Sequence, residues 1–217
     1  MCGRFTLAKT GEVAAAFDVP DPPPLTPRYN VAPGQVIAVV GLKHDARKRG
    51  IALLRWGLVP HWAASPNSGP RPINVRSESA LYKFGEHLRE RQCLVPADGF
   101  YECQTVGKKK VPHRFTMKSG RPFAFAGLWD VWRGEAEKLV TCCLMTTGAN
   151  ELVRPVHDRM PVIVPPEWYD AWLDPDTPES ALVSMLEPYP AELMQVADAG
   201  TAVNSPKNDG PECLEAA

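Results

Sequence analysis

A cysteine directly follows the initiator methionine in the opening stretch MCGRF. Small second residues let methionine aminopeptidase remove Met1. Cys2 would then carry a thiol and the chain's α-amine on adjacent carbons. An amine attacks an aldehyde to give an imine, as Schiff-base lysines do. A thiol beside the new imine carbon closes a five-membered thiazolidine, which resists hydrolysis better than an open imine. The reference pKa of an α-amine, about 7.7–8.0, is far below the ~10.4 of lysine, so more of it is neutral near pH 7. This pair of nucleophiles suits the trapping of aldehydes. The plainer reading of Cys2 is a small apolar residue in the core, a common fate for free cysteine.

Other segments carry residues of the same promise. NVRSESA holds Asn74 and Arg76 at the mouth of a helix. In ADGFYEC, strand alternation places Phe100 and Glu102 on one face and Tyr101 on the other. Glu102 then either turns to solvent at a sheet edge or enters a desolvated site. Desolvation would raise its pKa and fit it for proton transfer. PVHDRMPVIV sets His157, Asp158 and Arg159 before an apolar strand. A histidine there is a natural acid–base group near neutral pH. The alternative is an ordinary surface or satisfied core histidine, as expected among His44, His61, His87 and His113, with Asp158 merely fixing the loop.

Arg4, Arg76 and Arg159 each lie within two residues of a candidate reactive group. Guanidinium groups grip phosphate oxygens in a bidentate fork, and three could hold a phosphodiester backbone. Surface salt bridges are the competing use. RYNVAPGQ reads as a rigid polar loop with Asn30 ahead of a Pro33–Gly34 turn. In LRWGLVPHW, Trp62 is a candidate platform for an unpaired base, whereas Trp56 is expected in the core. GxGxxG, P-loop and HExxH motifs are absent, and no cluster has metal-ligand spacing in sequence.

These residues need a scaffold, and composition narrows it. The 217 residues are 44% hydrophobic and 23% charged, as in a globular domain. The net charge of −1 excludes a globally basic nucleic-acid binder, so a polyanion site would have to be local. No apolar run approaches the ~18–20 residues that span a bilayer, and no secretory leader is visible. None of the six cysteines forms a C-x-x-C pair, which speaks against zinc binding and dithiol redox chemistry. Reduced thiols in a bacterial cytosol are the expectation. The 23 prolines favour short strands and rigid loops over long helices. Strands are expected at Gln35–Val40, Ile51–Trp56, Cys93–Val95, Phe100–Gln104, His113–Met117, Phe123–Trp129, Leu139–Thr146 and Pro161–Val164. Short helices are expected at Glu12–Phe17, over EWYDAWL and over TPESALVSML, the last with Thr177 as N-cap. RSESALYKFGEHLRERQ reads as an amphipathic helix capped by Ser77, with Leu81, Phe84 and Leu88 on one face. The segment from residue 206 to 217 reads as a flexible tail. Strand-rich order without regular βαβ alternation predicts an α+β domain on antiparallel sheet.

Taken in order, MCGRF, RYNVAPGQ, RWGLVPHW, INVRSE, CLVPADGFYE, FAFAGLW and HDRMPVI resemble the SOS-response-associated peptidase family. The resemblance runs from residue 2 to about Val164 and resumes at VNSPKND. It implies one domain over residues 1–205, a twisted antiparallel β-sheet with short flanking helices. It implies a monomer that crosslinks to abasic sites in single-stranded DNA. Cys2, exposed by loss of Met1, would form a thiazolidine with the ring-opened sugar and shield the lesion. An autopeptidase activity that removes residues ahead of the cysteine and a minor lyase activity also follow. The family's catalytic asparagine, glutamate and histidine fall on Asn74, Glu102 and His157. Its phosphate-holding arginines fall on Arg76 and Arg159, with Arg4 a third. Its polar loop matches Asn30 and Pro33, and its stacking tryptophan matches Trp62. Ala63 stands where some relatives carry a second aromatic, implying a smaller wedge, and Met160 where another arginine can occur. No metal or organic cofactor is implied. Two rivals remain: a thiol peptidase acting on other proteins, and a non-covalent reader of modified bases.

Overall fold

Prolines and glycines divide the chain into short segments, and most of them pair as strands. The computed structural model describes residues 2–43, 48–135 and 137–216. Met1, His44 and the side chain of Leu81 lie outside the described residues. The elements run β1 (Arg4–Leu7), α1 (Val13–Ala16), β2 (Arg28–Val31), β3 (Val36–Leu42), β4 (Arg49–Trp56), β5 (Asn74–Arg76) and α2 (Ser77–Glu90). They continue through β6 (Gln92–Ala97), β7 (Gly99–Val106), β8 (Lys109–Met117), β9 (Phe123–Arg133) and β10 (Lys138–Gly148). The remainder is β11 (Arg159–Pro161), β12 (Ile163–Val164), α3 (Tyr169–Leu173), α4 (Glu179–Ser184) and β13 (Met194–Asp198).

Among the described residues, one sheet has the order β13-β8-β7-β1-β2. A second runs β11-β10-β4-β3-β6-β9-β12, with β5 beside β10. Because β9 also pairs with β10, strands β10, β4, β3, β6 and β9 close on themselves. Closure removes the exposed edges that invite aggregation. Pairing is antiparallel except where β10 meets β4 and β5. The result is the expected α+β domain with few and short helices.

Two apolar clusters occupy alternate faces of these strands. Ala38, Val40, Leu94, Cys143 and Met145 face α1, α3 and α4. Val39, Cys93, Val95, Cys142 and Leu144 face the first sheet with Phe5 and Phe100. Phe5 is the keystone of β1, its ring 5.4 Å from that of Trp56 and 5.7 Å from that of Phe125. Burying such a ring contributes about 1.5–3 kcal/mol, enough to fix the residues that flank it. Trp56 is fully buried, as expected, and its indole N–H donates to the Ile73 carbonyl at 2.9 Å.

The structure corrects several local expectations. RYNV is not a loop but strand β2, followed by a tight turn in which Gln35 N–H donates to Ala32 at 3.3 Å. Gly34 has φ +85 there, the left-handed geometry that the third position of a type II turn requires. Ser77 does not cap α2; Arg76 is the extended N-cap and Ser77 the first helical residue. Thr177 does not cap α4 either, because its hydroxyl donates to Ala171 at 2.6 Å and ties α4 to α3. The segment from residue 206, read as a free tail, packs against the first sheet. Asp209 accepts from the N–H groups of Tyr29 and Asn30, both at 2.7 Å, and pairs with Arg28. Cys213 is fully buried, and its carbonyl accepts the Tyr101 hydroxyl at 3.0 Å. The segment therefore covers the second face of β7, which is why Tyr101 is buried on one face as Phe100 is on the other.

Candidate active site and its support

The first strand delivers Cys2 to the interior. Register Arg4↔Tyr101 and Phe5↔Phe100 holds β1 against β7, which brings Cys2, just before β1, near enough to Glu102 for its thiol to feel that charge. Cys2 is fully buried, and its thiol points at the Arg4 carbonyl at 3.8 Å. Burial, reinforced by the nearby charge of Glu102, pushes the thiol pKa well above its ordinary value. The sulfur is therefore held as S–H, not as thiolate.

Strand β5 has only three residues, yet β10 fixes it by the parallel register Leu144↔Asn74. Asn74 Nδ2 donates to the Cys2 carbonyl at 2.8 Å. Its Oδ1 is buried and has no hydrogen-bond partner among the described residues. An acceptor is thus held in reserve beside the Cys2 backbone.

Glu102 lies in β7 and is almost wholly buried. Desolvation is the main cause that raises its carboxyl from 4.5 to about 7, and the charge of Asp158 adds to it. Of the two readings of Glu102, the desolvated one holds. A carboxyl poised near neutrality both gives and takes a proton at working pH.

His157 sits in the loop between β10 and β11, which is built by Asn150. Asn150 Oδ1 accepts from Leu152 N at 3.1 Å and Val153 N at 3.0 Å, an Asx turn that starts the loop. Gln104 Nε2 on β7 donates to Pro155 at 3.0 Å and holds the loop beside the Glu102 strand. His157 Nδ1 faces Arg159 N–H at 2.9 Å and Asp158 Oδ1 at 2.9 Å. These neighbours ask opposite things of Nδ1. The backbone donor is fixed, whereas Asp158 is largely in solvent, so Nδ1 accepts and the proton sits on Nε2. Burial lowers the His157 pKa, which keeps the ring neutral at physiological pH.

The arginines differ in their freedom. Arg76 is exposed at the start of α2. Arg159 is nearly buried and grips Glu78 with both terminal nitrogens, while Nη2 also donates to the Thr146 carbonyl at 2.6 Å. The Arg159 hydrogen bond is the main cause that lowers Glu78 to about 2. Arg4 donates from Nη1 to Asn30 Oδ1 at 2.9 Å and to the Val203 carbonyl at 2.7 Å. Asn30, fully buried, donates in turn to Val203, Ser205 and Asn208. Pro33 is exposed at its turn. Trp62 is 66% exposed on the loop between β4 and β5. Among the described residues, no hydrogen bond joins Pro33 or Trp62 to the Cys2 group. Met160, at the position where an arginine can occur, is fully buried.

Sequence reading missed the supports. Glu78, Val203 and Asp209 set the arginines, and only the stretch VNSPKND gave a signal for the last two. It also missed a second polar cluster. Asp130, fully buried in β9, accepts from His61 Nδ1, His61 N–H, His87 Nε2, Arg91 and Val131 N–H.

A family model described as SOS response associated peptidase matches residues 1–206. The abasic site processing protein YoqW of Bacillus subtilis is 41% identical over 224 residues, covering 99% of each chain. The abasic site processing protein YoaM of the same organism is 39% identical, over 100% of this chain and 98% of its own. A crystal structure of a protein from Bacteroides thetaiotaomicron superposes with a TM-score of 0.89 at 23% identity, covering 100% of both chains.

Proposed function

The chain belongs to the SOS response associated peptidase family, and from that premise we propose that it captures abasic sites in single-stranded DNA through Cys2. Abasic site processing is what the names of its relatives state, and the chemistry of Cys2 fits the aldehyde of such a lesion. The observation that carries the reading is the meeting of Cys2 with Asn74, at 2.8 Å, and with a carboxyl poised at about 7.

Removal of Met1, by an aminopeptidase or by the chain itself, frees the Cys2 amine. An abasic deoxyribose is mostly a closed hemiacetal. On opening, its C1′ hydroxyl gives up a proton and its ring oxygen gains one through water, while the Nε2–H of neutral His157 hydrogen-bonds to that ring oxygen and steadies its developing charge. The amine attacks C1′ while Glu102, as carboxylate, takes a proton from it. Asn74 Oδ1 accepts from the same nitrogen, and Nδ2 keeps the Cys2 carbonyl in place. Loss of water gives the imine. The Cys2 S–H then adds across C=N: sulfur bonds to C1′ and the proton passes to nitrogen. The products are a thiazolidine and one water. A buried neutral thiol suits this order, since the amine makes the first bond. Holding the partners in place removes about 7–11 kcal/mol from the barrier of such a reaction. Arg76, Arg4 and Arg159 would take the flanking phosphates, and Trp62 would stack on an unpaired base.

Intact mass spectrometry before and after incubation with abasic single-stranded DNA tests this reading. The expected result is a chain lacking Met1 that gains one oligonucleotide mass less one water. Cys2→Ala should give no stable adduct on denaturing gels while retaining weak, salt-sensitive DNA binding. A stable adduct with Cys2→Ala, or full capture by a chain that keeps Met1, would sink it. Turnover of a peptide in trans without DNA capture would favour the peptidase rival.

A further inference from the structure

The Asp130 cluster plays no part in the chemistry above, and its geometry is unusual for a purely structural ion pair. His61, on the loop before Trp62, points Nδ1 at Asp130 Oδ2 from 3.0 Å. His87, on α2, points Nε2 at the same oxygen from 3.0 Å. The backbone N–H of His61 also donates to Oδ2, at 2.8 Å. Three donors thus converge on one oxygen that has two in-plane lone pairs. The other oxygen, Oδ1, is held by Arg91 and by Val131 N–H at 2.7 Å. The three potential ligand atoms all lie within 4.8 Å of one another.

We propose that His61, His87 and Asp130 form a binding site for one divalent transition ion, with Zn2+ the best match. Two imidazoles and one carboxylate are a common zinc donor set. Tetrahedral bonds of about 2.0–2.1 Å put ligand atoms roughly 3.4 Å apart, so the two 3.0 Å nitrogen–oxygen contacts need to open by a few tenths and the two nitrogens, which lie within 4.8 Å of each other, to settle at that same spacing. Binding moves the ring protons to His61 Nε2 and His87 Nδ1, and Oδ2 then faces the ion and one N–H instead of three donors. Arg91 and Val131 N–H orient the carboxylate from behind, as outer partners do in metal sites. The fourth position opens outward, because the His61 side chain is 42% exposed beside a solvent cavity of about 460 Å³. Glu90, Arg91 and Arg133 line that cavity, so its charge is mixed. The separations of 69 and 43 residues explain why no sequence spacing signalled it. The ion would tie together α2, β9 and the loop bearing Trp62.

The test is zinc uptake by the purified chain, read by equilibrium dialysis with elemental analysis and by the visible absorption of a tetrahedral Co2+ complex. The wild type is expected to bind one ion per chain and to melt at higher temperature with zinc present. His61→Ala, at a half-exposed position that leaves the fold intact, should weaken uptake at least tenfold. His87→Ala should do the same. Cys2→Ser should leave uptake unchanged, which separates this site from the amino-terminal thiol. A wild-type chain that binds no zinc overturns the proposal. So does uptake that survives His61→Ala or disappears with Cys2→Ser.

Discussion

Glu102 and Asp130 are both buried carboxyl groups on central strands, yet they carry opposite protonation tendencies. Burial pushes each upward. At Asp130 the donors from His87, His61 and the Val131 N–H more than offset burial and hold it well below the usual carboxylate range. At Glu102 burial wins, and the carboxyl rests at about 7. A buried acid surrounded by donors is a brace, whereas one left near neutrality is available for proton transfer. Burial alone does not mark a reactive group; the balance of donors does.

The largest effect should come from dismantling the brace. Asp130→Ala leaves Arg91 and two histidines without their acceptor, and breaking such a network costs about 3–5 kcal/mol. Urea unfolding should show a lower midpoint with an unchanged slope. Glu102→Gln should act the other way. The folded state holds a proton on Glu102 that the unfolded state releases above about 4.5, so this residue lowers stability as pH rises from about 4.5 to about 7. The glutamine variant should be more stable than wild type at pH 8, by on the order of 1–3 kcal/mol, and nearly equal at pH 4. It should also slow capture of abasic DNA. A variant without a pH-dependent gain would erase the contrast with Asp130.

The smallest change in stability belongs to a third carboxylate. Glu78 is 60% exposed and paired with Arg159. Glu78→Gln should alter stability by only about 0.5 kcal/mol. It should release Arg159 for a phosphate and steepen the salt dependence of DNA binding, measured by fluorescence anisotropy at several ionic strengths. An unchanged salt slope would mean that Arg159 serves the fold alone.

Much of this was legible because it is local. Alternation in GFYEC placed Glu102 beside Phe100, and the apolar runs of β3, β4, β6, β9 and β10 declared themselves as strands. Strands β1, β2, β5 and β13 did not. Each is three to five residues long, too short for a period, and exists only because a longer neighbour supplies its partners. The Asp130 cluster joins residues from three distant segments, and side-chain convergence of that kind has no sequence period. The segment after residue 206 looked mobile because it is polar and rich in turn formers. Those same groups satisfy Arg28, Asn30 and Tyr29.

That closure by the last residues has a consequence for biogenesis. Arg4 rests on the carbonyl of Val203, 199 positions later, so a growing polypeptide cannot complete the surroundings of its first strand until Val203 has left the ribosome. Bonds of such long span slow the search for the native topology. Cotranslational assembly can shape the closed strands, but the surroundings of Cys2 ripen only afterwards, so the aldehyde capture proposed for its amine would have to wait for that later step.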